Sequence, residues 1–246
     1  MMAETELWLV DLGKLRPGLE ATEAAEPRLS EDMKVRFDRM ADPVSRRERR
    51  LAHIALRLAL EARVGSEIRR APFVRNTAGK PSLPGRSCAF SLSHTQGLAL
   101  IALGREEPLG VDIERMRRVR VPAARRVPIE AEAVALAEGA ALSSAGPDAQ
   151  FLNAWVRIEA AAKAQGCGVG SLLERLRPRH VASPSPAVPP PEAVAPRIVV
   201  RDVPVADRVF AAIALSAGLA LPPLRHFPED PAAIEAFLSG EAGTRR

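Results

Sequence analysis

Gly110-Val111-Asp112-Ile113-Glu114 alternates apolar and acidic side chains, the period of a β-strand with one face in a core. Successive side chains of a strand point to opposite sides, so Val111 and Ile113 go to the core and Asp112 and Glu114 go together to the other face. Two carboxylates held that close repel each other unless a cation sits between them. An oxygen-only pair of this kind suits Mg²⁺. The same pattern also describes the solvated end of a hairpin, because Asp and Glu are mostly surface residues. Residues 98–103 and 109–113 flank a polar turn at 104–108 and are predicted to pair as that hairpin.

Downstream comes Trp155-Val156-Arg157-Ile158-Glu159-Ala160-Ala161-Ala162-Lys163. Trp155, Glu159 and Lys163 recur at i, i+4 and i+8 and lie along one helix face. An exposed Glu–Lys pair contributing about 0.3–0.5 kcal/mol has the same spacing. Trp155 on that stripe favours burial, and a half-buried stripe carrying a carboxylate and an ammonium is site-like. Upstream, Ser91-Leu92-Ser93-His94-Thr95 closes a short strand. The Ser93 hydroxyl and the His94 imidazole are candidate phosphate donors there. A Ser–His nucleophile pair is the rival reading, but adjacent side chains seldom face each other and no G-x-S-x-G elbow is present. A hydrogen-bonded loop histidine is the plain alternative. Gly79-Lys80-Pro81 holds a lysine between a flexible and a rigid residue in a turn-rich segment. Arg46, Arg47, Arg49 and Arg50 open a helix that also contains Arg57.

Around these motifs the chain reads as mixed helix and strand. Residues 7–10 form an opening strand, and Ser30 caps a helix running through Glu31 and Asp32 toward Met40. Asp42-Pro43 breaks it. Ser45 and Glu48 have capping-box spacing. Leu51, Ile54, Ala55, Leu58 and Ala62 then share one apolar face, and Gly65 ends the helix. A short helix is predicted over 130–138. Asp148 caps another that runs to Gln165 and ends at Gly166. Residues 198–200 and 209–215 are closing strands. Six prolines within 182–196 mark a stiff loop. The stretches 57–65 and 157–166 both end an Ala-rich helix after a basic residue, which hints at a duplicated α+β unit.

Composition sets the outer bounds. A chain of 246 residues, 47% hydrophobic and 26% charged, builds one large domain or two small ones. Tyrosine is absent, so the core is mainly Leu, Val, Ile and Ala. The net charge of +5 attracts nucleic acid, phosphorylated cofactors or acidic proteins. An aromatic content of 4% offers little stacking surface, which argues against nucleic acid. The first ten residues carry Glu4 and Glu6 and no basic region, unlike a signal peptide. The longest uncharged apolar run, 209–221, is shorter than the roughly 20 residues a bilayer span needs. These features predict a cytoplasmic protein without a membrane partner. Cys88 and Cys167 allow one disulfide and imply no framework.

In order along the chain, Gly79-Lys80-Pro81, Ser93-His94, Gly110-Val111-Asp112-Ile113-Glu114 and Trp155 through Glu159 to Lys163 resemble the 4′-phosphopantetheinyl transferases, in particular their larger surfactin-synthetase-activating (Sfp-type) class. The resemblance covers residues 6–170. It implies an α+β fold of two similar α+β halves in a pseudo-twofold arrangement, residues 1–108 and 109–246, with the proline-rich loop at 182–196 in the second. It implies a monomer with coenzyme A in the cleft between the halves. Asp112, Glu114 and Glu159 would hold Mg²⁺. Glu159 and Lys163 would be catalytic. Lys80, Pro81, Ser93, His94 and Arg49 would hold the 3′-phosphate and adenine end. The partner would be an apo acyl or peptidyl carrier protein. Six arginines lie between Arg115 and Arg126, directly after the acidic strand, and Arg117 and Arg118 are expected to touch that carrier. One departure stands out. The family has Lys just before the metal-binding Glu, and this chain has Ile158. It supports the alternative of a weakened family member that binds coenzyme A or a carrier without transfer.

Overall fold

Strand β1 (Glu6–Asp11) leads through helices α1 (Arg16–Ala25), α2 (Glu31–Asp38) and α3 (Pro43–Val64) to a small hairpin of β2 (Val74–Arg75) and β3 (Pro81–Ser82). Strands β4 (Ala89–Thr95) and β5 (Leu98–Gly104) follow. The chain continues with β6 (Leu109–Arg115), α4 (Ala123–Leu136), α5 (Pro147–Ala164), α6 (Val169–Leu176), β7 (Ile198–Asp202) and β8 (Val209–Ser216). It closes with β9 (Leu224–His226) and α7 (Pro231–Leu238). This computed structural model describes residues 5–106, 108–176 and 197–240, so the loop expected at 182–196 lies outside the described residues.

The fold is α+β, as expected. One sheet has the order β4-β5-β1-β9 and another β6-β8-β7. Antiparallel β1 and β4 flank β5 in the first, and antiparallel β6 and β7 flank β8 in the second. Each unit is thus an opening strand, a long helix and two further strands, the last of them central. The hairpin expected over 98–113 does not form. Both edges of β5 are already taken by β1 and β4, so β6 pairs with β8 instead, Asp112 opposite Ala212. The final segment crosses the 108/109 boundary. β9 adds to β1 in parallel, Leu7 opposite Leu224, and brings Phe227 and Phe237 edge-on to Trp8 at 6.2 and 5.1 Å.

Local chemistry explains the helix ends, with some changes of partner. Pro43 opens α3, where its missing N–H costs nothing, and the Asp42 carboxylate accepts the Ser45 N–H at 2.7 Å. The Ser45–Glu48 capping box therefore does not form; Glu48 Oε1 accepts the Gly97 N–H at 2.9 Å and ties α3 to the β4–β5 turn. Ser30 precedes α2 without a side-chain cap bond. Gly146, not Asp148, is the N-cap of α5, and Asp148 instead pairs with Arg126. Helix α4 starts at Ala123, earlier than the sequence predicted, and contains Pro128.

The two long helices lie on their sheets differently. Leu51, Ile54 and Leu58 of α3 enter a core with Leu19, Phe37, Phe90 and Phe227. Helix α5 presents Ala160, Ala161 and Ala164 to Ala212 and Ala214. A Cβ on Gly110 of β6 would stand 2.1 Å from the Ala160 carbonyl oxygen and 2.4 Å from the Ala164 nitrogen, so helix and strand meet backbone to backbone. Each helix also buries an arginine. Arg57 donates to the carbonyls of Ile68 and Ala71. Arg157 donates to those of Ala140 and Ala141 and pairs with Asp202 at 2.7 Å. Cys88 and Cys167 do not form the disulfide that their number allows. No helix among the described residues is long and apolar enough to cross a membrane.

Candidate active site

The close seat of α5 on β6 brings the acidic strand and the Glu–Lys stripe together. Lys163 Nζ donates to Asp112 Oδ1 at 2.7 Å and stands 3.9 Å from Glu159 Oε2. Asp112 is buried, while Glu114 and Glu159 are half-buried beside it. Burial pushes the Glu159 carboxyl above its ordinary range, and the nearby Asp112 and Glu114 carboxylates push it further, against the pull of Lys163. Like charge therefore crowds this spot, as the alternation of β6 predicts. Among the described residues, no three acidic, His or Cys side chains are drawn into a ready metal cage. Glu114 also accepts from the exposed Arg117 guanidinium at 3.2 Å.

Next to this cluster opens a cleft of about 350 Å³ between α3, the β2–β3 turn, β4 and the end of α5. Arg49, Lys80, Pro81 and His94 line it together. Arg36, Arg75 and Lys163 add three more cations, and no carboxylate is among the described residues lining it. The two imidazoles feel that field. Burial first, then Arg49 and Lys163, push His94 down to about 4. Burial first, then His94 and Arg49, push His53 down to about 3. Both are neutral near pH 7, so they meet a ligand as hydrogen-bonding groups while the arginines and lysines carry the charge.

Two of the expected phosphate contacts also make bonds within the protein. The Lys80 ammonium donates to the carbonyls of Leu109 and Ala164 at 3.2 and 3.4 Å, bridging the start of β6 and the end of α5. Asn76 supports it by donating to the Gly166 carbonyl at 2.9 Å. The Ser93 hydroxyl turns away from the cleft and donates to Asp112 Oδ1 at 2.6 Å. Arg118 is exposed beside Arg117. Ile158 is fully buried in the core beneath α5, and Arg157 is committed to its own carbonyls, so neither faces the acidic cluster.

His53, Arg36 and Arg75 escaped the sequence reading. For His53 a signal existed, since Arg49, His53 and Arg57 recur at i, i+4 and i+8 on one helix. Arg36 and Arg75 sit on separate short elements and have no such pattern.

Residues 108–194 match the 4′-phosphopantetheinyl transferase superfamily. Over 183 residues the chain is 31% identical to the 4′-phosphopantetheinyl transferase HetI of Nostoc sp., a stretch spanning 70% of this chain and 72% of that protein.

Proposed function

The chain belongs to the 4′-phosphopantetheinyl transferase superfamily, and on that premise we propose that it is a Mg²⁺-dependent enzyme of the Sfp-type class. It moves the 4′-phosphopantetheine arm of coenzyme A to a serine of an apo acyl or peptidyl carrier protein and releases 3′,5′-ADP. One juxtaposition carries this reading: a cleft lined by cations opens beside three crowded carboxylates, with Lys163 at the boundary. A nucleotide with several phosphates suits the first, and a cation that meets its pyrophosphate suits the second.

Asp112, Glu114 and Glu159 fit Mg²⁺ by donor chemistry, because all are carboxylates and hard oxygen ligands are what the ion takes. Burial first, and then the Asp112 and Glu114 carboxylates, raise the Glu159 carboxyl, and a divalent cation would relieve that like-charge crowding. When bound, the ion supplies charge neutralisation on the pyrophosphate. The protein's own groups do the rest. Arg49, Arg75 and Lys80 hold the nucleotide end, with His94 as a neutral hydrogen-bonding partner. Glu159 accepts the proton of the carrier serine, directly or through water, as the serine oxygen bonds to the β-phosphorus. The bond from that phosphorus to the oxygen of 3′,5′-ADP breaks, and Lys163 offsets the charge that develops. Arg117 and Arg118 meet an acidic carrier. In this reading the halves divide the labour, residues 1–108 holding the nucleotide and 109–246 the metal, in a cytoplasmic monomer.

The weakened-binder alternative rested on Ile158. That side chain lies in the core and does not meet the acidic cluster. Intact mass of an apo-carrier after incubation with protein, coenzyme A and Mg²⁺ tests the proposal. Gain of one phosphopantetheine group, abolished by EDTA, supports it. Measurable coenzyme A binding with no gain on several carriers would return the reading to the silent binder.

A further inference from the structure

Strands β4 and β6 run side by side where the two sheets meet, with no ladder between them. Hydroxyls spaced two apart on β4 take the ladder's place. Ser91 Oγ accepts the Val111 N–H at 3.0 Å, and Thr95 Oγ1 accepts the Arg115 N–H at 3.4 Å. Between them Ser93 does something different: it donates, and its acceptor is a side chain, Asp112 Oδ1 at 2.6 Å. The same oxygen accepts from Lys163 Nζ at 2.7 Å. Ser93 and Asp112 are both buried, 9% and 5% exposed.

A carboxylate oxygen has two lone pairs. Two short donors therefore saturate Oδ1 and leave Oδ2 as the oxygen with capacity to spare. Lys163 alone does not fix the carboxylate plane, because an ammonium on a flexible stem follows the group it binds. A hydroxyl on a paired strand does not follow. We propose that Ser93 is a positioning residue for Asp112: with Lys163 it pins Oδ1, fixes the rotation of the carboxylate and presents Oδ2 to a divalent cation. This rests on the reading of Asp112 as a metal ligand. It also assigns Ser93 a task other than phosphate binding, and makes a strand of the first half responsible for aiming an acid of the second. Outer partners of this kind typically change metal affinity by about 10–100-fold when removed.

The test is Mn²⁺ affinity of the full chain with coenzyme A present, by calorimetry, alongside coenzyme A affinity in EDTA and thermal melting. Ser93→Ala is expected to weaken Mn²⁺ binding about tenfold and leave metal-free coenzyme A binding unchanged. Ser93→Thr, which keeps the hydroxyl, is expected to retain most of the affinity and covers the case in which the alanine variant folds poorly. Ser91→Ala removes a junction bond without touching Asp112, so it should lower the melting temperature and spare Mn²⁺ binding. Wild-type Mn²⁺ affinity in Ser93→Ala would overturn the proposal, as would an equal loss in Ser91→Ala. Wild-type protein that binds no Mn²⁺ would instead sink the metal reading beneath it, a result visible before any variant is made.

Discussion

Helix α3 and helix α5 occupy the same place in the two sheets, yet only α5 brings a carboxylate to the acid of its strand. Two residues past its buried arginine, α3 has Ala59, 1% exposed, where α5 has Glu159. Six past, each helix has a cation paired with an acid of the opening strand: Arg63 with Glu6 at 2.6 Å, and Lys163 with Asp112 at 2.7 Å. The difference lies in the spacing between helix and sheet. Leucine and phenylalanine fill the space under α3, which leaves no room for a carboxylate to face β1. Alanines and Gly110 let α5 settle onto β6, so side chains as short as Asp and Glu reach one another. Close packing of small residues is what gathers the acidic cluster in the second half, while cations of the first half line most of the cleft beside it.

Glu159→Gln breaks that asymmetry most sharply. It removes the proposed proton acceptor and one anionic oxygen while keeping the shape. Transfer is expected to fall about 10²–10⁴-fold with little change in melting temperature, as initial rates on a carrier and a thermal scan would show. A fall below tenfold would mean that Glu159 is a bystander. Gly110→Ala attacks the packing itself. Its methyl would meet backbone atoms that no rotamer change can move, and the expected cost is about 3 kcal/mol in urea denaturation. An unchanged midpoint would show that α5 is free to lift from β6, and the account of the difference between the halves would fail.

The halves also mirror each other in charge. In the second, burial and like carboxylates push Glu159 up; in the first, burial and like cations push His53 and His94 down. Each arrangement favours the neutral form until a ligand of opposite charge arrives. For the imidazoles the consequence for stability has a definite sign. The folded values, about 3 and about 4, lie below the unfolded value of 6.5. Above pH 6.5 neither state takes up the proton and stability is full. As pH falls from 6.5 toward those folded values, the unfolded chain gains protons first and stability is lost. At pH 5 the loss is about 2 kcal/mol for His53, and less for the more open His94. Urea midpoints at pH 7 and pH 5 should show it, and His53→Gln should flatten the slope. A slope unchanged by the substitution would place its origin elsewhere.

Much of the second half was legible in the sequence because its chemistry is local. The alternation in 110–114 and the helical spacing of Trp155, Glu159 and Lys163 each name a face, and the structure joins the two faces. The first half was less legible. Its cleft collects Arg36, Arg49 and Arg75 from three elements whose meeting depends on tertiary packing. The hairpin at 98–113 was misread because apolar runs around a turn specify strands without specifying their partners. Strand β9 is three residues long and leaves no periodic trace. Sequence shows Ser93 and Lys80 as donors but not the acceptors they reach within the protein, here Asp112 and two backbone carbonyls.

The arginines sharpen the comparison at smaller scale. If the halves divide the two substrates, loss of charge in each should raise the KM of a different one. Arg49 lines the cleft, so Arg49→Ala is expected to raise KM for coenzyme A several-fold and leave that for the carrier unchanged. Arg117 and Arg118 stand exposed past the end of β6, so the double alanine variant should raise KM for an acidic carrier about three- to tenfold, with the gap closing at high salt as long-range attraction is screened. Arg117 also pairs with Glu114. An accompanying change in kcat would then report that carboxylate, so Arg118→Ala alone is the cleaner probe of the surface. Should Arg118→Ala change KM for coenzyme A instead, or the Arg49 variant that for the carrier, the halves would share both substrates and the division of labour drawn from their packing would be wrong.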